Sequence, residues 1–380
     1  MKLTLKAGPH ARWNCPVIIP AGDAANNVDM WQSEAGTHLP AQHLSNGDAA
    51  IIIPCIAANH ELILTPVQSS SPTHGESGMH FVVSEPGVLQ LWFGQHLITA
   101  YRHSNVVRPY FFPVHNPDGE RLTRSYPMED VDGEHRDHHH HKSIWIAHGD
   151  VNGTDNWSEE PEHGSTRNLS VSVLEEGPLL ARFEANGLWL TTAGEPLLSE
   201  HLTVSAWRGN DEFTLLDFDI ALTADQTEGD VIFGDTKEGG ILSVRVASTM
   251  DGRHGGQIAS AYGGIGEREC WGKPSQFCSY SGATANGIGG IAILERQDSF
   301  RAPVTWHVRD YGLMTANPFG YAAFTDGRLD GTFSLSVGKS ICFHYRMVLH
   351  SIPQVTETCY QLFADYVFPP QITIEQQEVG

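Results

Sequence analysis

Residues 213–220 read FTLLDFDI, a short and largely apolar segment that follows the turn-forming residues Asn210 and Asp211. Apolar segments of this length beside turn formers are typical of β-strands. Similar segments recur along the whole chain, at residues 49–55, 61–65, 88–93, 240–246, 290–294, 304–309 and 340–349. The 38 glycines and 21 prolines between them predict an antiparallel architecture with many turns. One helix is expected, near residues 353–366.

The chain shows neither a low-complexity linker nor an internal repeat. We therefore expect one β-rich domain over residues 1–380. Within it, residues 1–100 are expected to form a lesser sheet, and residues 101–352 the sandwich that carries the polar motifs. The segment Gln68–Thr73 is expected to be a surface loop.

The composition argues against several classes of partner. The formal net charge is -22 at pH 7 and no cluster of lysines and arginines interrupts it, so nucleic acid and anionic lipid are not expected to bind. No apolar run approaches the ~20 residues that span a bilayer. Because no secretory signal is visible and the six cysteines contain no CxxC pair, we expect a cytoplasmic location. The sequence leaves an oligomer open.

A run of four histidines stands out at residues 136–153, which read RDHHHHKSIWIAHGDVNG. If the strand-like segment extends back through the run, His138 and His140 share one face. Two imidazoles at this spacing can bind one metal ion, and His148 or Asp150 could complete the ligand set. Metal-free acid–base chemistry by the imidazoles is the alternative.

Four further polar clusters lie among the predicted strands and turns. Their side chains suit proton transfer, as for Asp235 and His307, or stacking on a sugar ring and hydrogen bonding to its hydroxyls, as for Trp271 and Lys273. Each cluster also has a structural alternative, as a core aromatic, a surface turn or an Asn-Pro turn. The clusters are RPYFFPV at 108–114, FGDTKEGG at 233–240, WGKP at 271–274, and WHVRDYG at 306–312 followed by NPFG at 317–320.

The chain lacks the motifs of nucleotide-dependent and acyl-serine enzymes. It contains no GxGxxG after a predicted strand, no P-loop, no GxSxG elbow and no usable Cys/His nucleophile pattern. We therefore expect no nucleotide cofactor. A single divalent metal ion is the one cofactor that the sequence leaves open.

Taken in order from Arg108 to Asn317, these motifs resemble the bacterial PmoA, or methane oxygenase-like, family, over roughly residues 102–350. The chain departs from the family's usual Asp-His-Pro-His-His-Arg pattern at His139 and Lys142. The resemblance implies an all-β fold with few helices, a large antiparallel β-supersandwich of the galactose mutarotase type whose concave sheet binds a sugar. It implies a role in carbohydrate metabolism rather than in methane oxidation, since the chain lacks the transmembrane helices of that membrane enzyme.

The expected function is that of a carbohydrate-active enzyme that cleaves a glycoside or an oxidised (keto) glycoside by elimination or hydrolysis, as a lyase or hydrolase. An aldose epimerase, a non-catalytic sugar-binding protein and a metal-dependent oxidoreductase remain as alternatives. The predicted catalytic residues are His140, His141, His148, Asp150, Asp235, Lys237, His307 and Arg309. The predicted substrate ligands are Arg108, Tyr110, Lys142, Asn152, Glu238, Trp271, Lys273, Asp310, Tyr311 and Asn317. The predicted metal ligands are His138 and His140.

Overall fold

The structure is a computed structural model, and it describes residues 1–21, 27–67 and 78–375. The predicted loop at residues 68–73 lies outside the described residues. Every strand pair within the described ranges is antiparallel.

The described residues form 27 strands, numbered in chain order. The first group is β1 (Lys2–Lys6), β2 (Arg12–Ile19), β3 (Met30–Ser33), β4 (His38–Pro40), β5 (Gln42–His43), β6 (Ala49–Ile56) and β7 (Glu61–Pro66). The second is β8 (Met79–Glu85), β9 (Val88–Phe93), β10 (His96–Arg102), β11 (Tyr110–Val114), β12 (Ile144–Val151), β13 (Thr154–Asn156), β14 (Ser165–Glu175), β15 (Leu180–Leu190), β16 (Pro196–Trp207) and β17 (Phe213–Thr223). The third is β18 (Val231–Phe233), β19 (Gly239–Arg245), β20 (Gln257–Ser260), β21 (Phe277–Ala283), β22 (Ile288–Glu295), β23 (Thr305–Arg309), β24 (Leu313–Asn317), β25 (Phe333–Leu335), β26 (Ser340–His350) and β27 (Gln371–Glu375).

Two large sheets pack face to face. The main path of the eleven-stranded sheet runs β23-β24-β19-β12-β11-β10-β9-β8, and the eight-stranded sheet runs β14-β15-β16-β17-β26-β22-β21-β20. Their inner faces meet in a continuous apolar core that contains Val244 of one sheet and Phe218 and Phe343 of the other, all fully buried. Two antiparallel sheets joined in this way form a β-sandwich. The prediction of a large antiparallel sandwich is confirmed.

Helices are few and short in the described ranges. They are α1 (Gly266–Cys270), α2 (Tyr321–Phe324) and α3 (Thr356–Val367), accompanied by 3-10 turns at Ser248–Met250 and Gly252–His254. The helix predicted near residues 353–366 is confirmed as α3. None of the described helices has both the length and the apolar character needed to cross a membrane.

The first seven strands form two small sheets with a core of their own, which includes Leu3, Trp31 and Leu64. Strand β27 returns from the far end of the chain and pairs with β1, whose other neighbour is β7. Strands β8 to β10 belong instead to the eleven-stranded sheet. The N-terminal unit therefore ends before Met79, and not near residue 100 as expected.

The buried carboxyl group of Glu295 makes stability depend on pH. Its Oε2 accepts a hydrogen bond from the backbone N–H of Val304 (2.6 Å), and burial raises the pKa of Glu295 to about 8 from its ordinary 4.5. The charge of Glu295 acts on two nearby titratable side chains, Tyr345 and Tyr321, and raises the pKa of each. Between pH 4.5 and pH 8 the folded chain keeps a proton that the unfolded chain has released. This group's contribution to stability therefore falls as the pH rises through that range.

We expect Glu295→Gln, which resembles the protonated carboxyl group, to melt at the wild-type temperature at pH 5. At pH 9 it should melt several degrees higher than the wild type, because it carries no charge to bury. Thermal unfolding of both proteins from pH 5 to pH 9 measures this difference. A difference that stays constant over that range would contradict the raised pKa.

Candidate functional site

Five strands of the larger sheet carry one row of directly paired side chains. The row consists of Tyr110, Trp145, Ser243, Thr315 and His307. Paired residues on neighbouring antiparallel strands share a face, and the residues that flank these along each strand belong to the sandwich core. The row therefore lies on the outer face of the sheet, where His141 of the histidine run stacks on Trp145.

The four histidines lie in a turn before β12, so the prediction that they continue the strand is wrong. The backbone N–H of His141 donates to the carbonyl of His138 (2.9 Å), and His138 and Ser143 have φ angles of +44° and +61°. Left-handed backbone at residues other than glycine interrupts a strand. Residues 137–141 are here called the histidine loop. Because this segment is not a strand, its side chains do not alternate between two faces.

Arg124 holds the histidine loop in place. Its side chain is fully buried, and its guanidinium group donates to the backbone carbonyls of His135 (3.2 Å), Asp137 (2.8 Å) and His138 (2.9 Å). These carbonyls have no strand partner, and buried backbone acceptors require donors. The fork of N–H groups on one arginine supplies them. Arg124 therefore fixes the backbone from which the histidine side chains project.

Asp137 and His138 form a carboxylate–imidazole dyad. Oδ1 of Asp137 accepts from Arg124 (2.6 Å) and from Arg245 (2.7 Å), while its Oδ2 lies 3.1 Å from Nδ1 of His138. Burial acts to raise the pKa of Asp137, but the hydrogen bond from His138 and the charge of Arg245 outweigh it and hold that pKa well below its usual range. A carboxylate held in this way orients the imidazole. The His138 side chain remains 40% exposed.

Tyr311 lies beside the dyad and is surrounded by cations. Its ring stacks on the ring of His138, with centroids 5.0 Å apart. The guanidinium carbons of Arg245, Arg309 and Arg253 lie 4.6, 5.7 and 5.9 Å from the centre of the tyrosine ring. Burial raises the pKa of Tyr311 to about 12, against the opposite effect of Arg245 and Arg309. The Tyr311 hydroxyl therefore stays protonated at neutral pH.

His140 and His141 turn inward from the loop. His141 is buried, stacks on Trp145 at 5.1 Å, and places Nδ1 3.2 Å from the guanidinium group of Arg245. Because a guanidinium group only donates, Nδ1 of His141 accepts. Burial is the larger cause and the charge of neighbouring imidazoles the next, and together they lower the pKa of His140 to about 4. The same two causes lower the pKa of His141 well below its ordinary value. Both rings are therefore neutral near pH 7.

One group of potential metal ligands lies at the edge of this loop. His139, His140 and Glu160 each place a ligand atom within 4.8 Å of the others, and Nδ1 of His140 is buried without a hydrogen-bond partner. The predicted pair was His138 and His140, but His138 is engaged with Asp137. An ion at the loop would therefore take His139 and Glu160 with His140.

Three predicted substrate ligands surround Glu159. Nζ of Lys142 lies 2.6 and 2.7 Å from the two carboxylate oxygens of Glu159, and a guanidinium nitrogen of Arg108 lies 3.5 Å away. Arg108 is buried, which lowers its pKa to about 10, and it also donates to the carbonyl of Ser158 (2.9 Å). The Tyr110 ring packs against Lys142. These side chains hold the segment that contains Glu159, and their contact with a substrate stays a prediction.

The motif at residues 235–238 lies against the end of β23. His307 is buried, its Nδ1 lies 2.6 Å from the carbonyl of Lys237, and burial lowers its pKa to about 4. The Lys237 ammonium group pairs with Glu238, and both side chains are about half exposed. Lys237 and Glu238 are therefore accessible, whereas His307 is covered.

Asp235 and Asn317 are occupied by the backbone. Oδ2 of Asp235 accepts from the N–H groups of Ala322 (2.8 Å) and Gly331 (2.5 Å). The amide of Asn317 is fully buried, donates to two backbone carbonyls and accepts from two backbone N–H groups. Both contact sets hold loops together. The structure thus favours the Asn-Pro turn over a substrate ligand at Asn317.

His148 points toward the sandwich core, between Phe233 (5.8 Å) and Phe319 (4.7 Å). Burial lowers its pKa to about 4. Asp150 and Asn152 accept backbone hydrogen bonds at the turn that follows β12. The prediction that His148 or Asp150 completes a ligand set with the histidine run is therefore wrong.

The remaining predicted residues lie around β23. Arg309 reaches Tyr311 and also lies 3.3 Å from Glu267, whose carboxylate accepts from the backbone N–H of Asp310 (2.7 Å). Trp271 is partly buried and meets the rings of Phe324 and His307 edge-on. Lys273 is exposed and lies next to β23, which is three strands away from β12 in the sheet. Among these residues only Arg309 contacts the tyrosine.

Sequence reasoning missed the two arginines that organise the site. Arg124 and Arg245 lie outside every predicted polar motif, and both are buried. Arginine is usually exposed, so nothing local marks these two. The one indication in the sequence was Asp137, which directly precedes the histidines and whose carboxylate needs a cationic partner.

The sequence matches the model of one protein family over residues 89–363, described as a family of unknown function, DUF6807. The match includes the histidine loop and Tyr311. It is this model, and not that of the PmoA family, that the chain matches. No curated protein matches the sequence.

Similar solved structures include a galactose mutarotase related enzyme from Lactobacillus acidophilus, with a TM-score of 0.33, 9% identity, and coverage of 72% of this chain and 97% of that one. Another is a GalM/aldose epimerase homologue from C. elegans, with a TM-score of 0.29, 10% identity, and coverage of 72% and 98%. Superpositions this loose do not carry the activity of either protein over to this chain.

Proposed function

The chain belongs to the DUF6807 family of unknown function, and we propose that it is an enzyme that transfers protons on a carbohydrate at the Asp137–His138 dyad. The observation that carries the proposal is the state of His138. Its imidazole is partly exposed, oriented by a carboxylate, and stacked on Tyr311. An oriented and accessible imidazole is the usual general acid or base at neutral pH.

The contacts of the dyad support one role for each of its atoms. Because Oδ2 of Asp137 faces Nδ1 of His138, Nδ1 carries the proton that the carboxylate accepts. Nε2 of His138 is then the nitrogen that takes a proton from the substrate and returns it. Arg309, which is 37% exposed beside Tyr311, is placed to stabilise negative charge on a substrate oxygen.

A sugar substrate is supported by the aromatic and polar groups around the dyad. The partly exposed ring of His138 lies beside Tyr311, and Glu238 and Glu267 offer carboxylates near that tyrosine. Stacked rings bind the C–H face of a sugar, while charged side chains hydrogen-bond its hydroxyls.

Cleavage of a keto glycoside is the reaction that we favour. In an elimination, Nε2 of His138 would remove the proton next to the carbonyl, and the electron pair would form a double bond as the glycosidic oxygen leaves with a proton. Hydrolysis would instead add water across the bond. Epimerisation at the anomeric carbon is the alternative, and it moves protons only between oxygens.

Metal-assisted chemistry is the second candidate, supported by the ligand group His139, His140 and Glu160. A divalent ion bound there would polarise a carbonyl or hydroxyl oxygen of the substrate. The proton transfers by the dyad would be the same.

The test is proton NMR in deuterium oxide with methyl keto-glycosides and freshly dissolved aldoses. We expect methanol release together with loss of the proton next to the carbonyl and a new alkene signal, which is the result of elimination. Methanol release with that proton retained and no alkene signal would identify hydrolysis, and faster interconversion of aldose anomers alone would identify an epimerase. If every sugar stays unchanged while some of them bind, the chain is a sugar-binding protein and the proposal fails.

A further inference from the structure

A second group of ligand atoms, separate from the histidine loop, lies where two parts of the chain meet. Asp251 stands between the 3-10 turns Ser248–Met250 and Gly252–His254, and His254 ends the second turn. His135 arrives from the segment that leads into the histidine loop. Its backbone N–H donates to Oγ of Ser248 (3.2 Å), which fixes this segment against the first turn.

The distances within this group suit a metal ion. Nε2 of His135 lies 3.3 Å from Oδ2 of Asp251, and Nδ1 of His254 lies 2.8 Å from Oδ1 of the same carboxylate. One ligand atom from each residue lies within 4.8 Å of the other two. Zinc bonds to nitrogen and oxygen of about 2.0–2.2 Å place neighbouring tetrahedral ligands roughly 3.3 Å apart. A small movement of these side chains would therefore place three ligand atoms around one ion.

The carboxylate is buried and incompletely bonded. The Asp251 side chain is fully buried, yet its Oδ2 has no hydrogen-bond partner, and neither has Nε2 of His135. The ion-pair partners of Asp251 in the described chain are the two imidazoles. Buried charges are normally paired or bound to metal. Oδ2 of Asp251 and Nε2 of His135, which lie 3.3 Å apart and make no hydrogen bond, mark where an ion would sit.

The outer side of this group is open. The side chains of His135 and His254 are 31% and 50% exposed. Three protein ligands with access from solvent leave at least one position for water or a substrate, as in catalytic rather than structural sites. Two imidazoles and one carboxylate favour transition metals over calcium or magnesium.

We propose that His135, Asp251 and His254 bind one divalent transition metal ion in a three-ligand site with an open position. The site lies on the same side as Tyr311, since Arg253, between two of the ligands, places its guanidinium group 5.9 Å from that ring. The assignment does not depend on the reaction proposed above.

The test is a titration of tag-free, chelator-treated full-length protein with Co²⁺, followed by visible absorption, and then with Zn²⁺, followed by calorimetry. We expect one equivalent to bind to the wild type. His254→Ala should weaken binding by more than the 10- to 100-fold that is typical for removal of an outer-shell partner, while its half-exposed side chain makes loss of fold a small risk. Circular dichroism checks the fold of each variant.

Two controls make the result specific. His201→Ala removes an exposed histidine of β16 and should bind as the wild type does. His139→Ala with Glu160→Ala removes the ligand group at the histidine loop and should also keep the full equivalent. The proposal is overturned if the wild type binds no stoichiometric ion, if His254→Ala binds normally, or if the loop double variant is the one that loses the ion.

Discussion

Replacing His138 by glutamine should leave the protein folded and lower turnover of its carbohydrate substrate by about 10²- to 10⁴-fold. Glutamine keeps a polar side chain on Tyr311 but cannot take up a proton near neutral pH. Because the His138 side chain is 40% exposed, its replacement creates no buried cavity. The measurements are kcat and KM by the NMR assay, together with the melting temperature.

His201→Gln is the matched control, since His201 is an exposed histidine on the other sheet. It should retain wild-type kcat and melting temperature. If His138→Gln turned over at a rate close to wild type, the dyad would have no part in the reaction. An increase in KM alone, with kcat unchanged, would reassign His138 to substrate binding.

Replacing Arg124 by methionine should destabilise the protein by about 3–5 kcal/mol, because the change leaves buried acceptors without donors. Methionine fills a similar volume, so the lost hydrogen bonds rather than a cavity dominate the effect. The carbonyls of His135, Asp137 and His138 would lose their partner together. Urea unfolding measures the free energy, and amide hydrogen exchange over residues 135–142 should accelerate well beyond the rest of the chain.

Arg121→Met separates this effect from the general loss of an arginine. Arg121 pairs with Glu129 at a partly exposed position, and such ion pairs contribute about 0–1 kcal/mol. Equal stability of the two variants would show that Arg124 does not organise the loop. Exchange that accelerates over the whole chain equally would lead to the same conclusion.

The strands were predictable because their pattern is local. The segment at residues 213–220 lies within β17, and the segment at 340–349 within β26, which pairs with β17 over its full length. The histidine run was not predictable in the same way. The left-handed backbone of His138 is held by Arg124, which lies outside the run and 14 residues before His138, and no residue next to the run indicates that contact.

The site was predictable in composition but not in pairing. His138, Arg309 and Tyr311 came from motifs and do lie together. Lys142 and Asn317 came from the same motifs, but Lys142 pairs with Glu159 and Asn317 with backbone groups. Whether a polar side chain faces solvent or a buried partner depends on residues brought near by the fold, which a short motif does not contain.

The pairing of β27 with β1 also constrains how the chain folds as it is made. The sheet that contains β1 gains its last strand only after residues 371–375 have left the ribosome, while its remaining strands have been available since residue 66. Throughout synthesis of the sandwich, β1 has one row of backbone donors and acceptors without a neighbour, and such an edge can pair with other chains. The N-terminal unit is synthesised before the sandwich strands, yet its sheet is completed only after all of them have been synthesised.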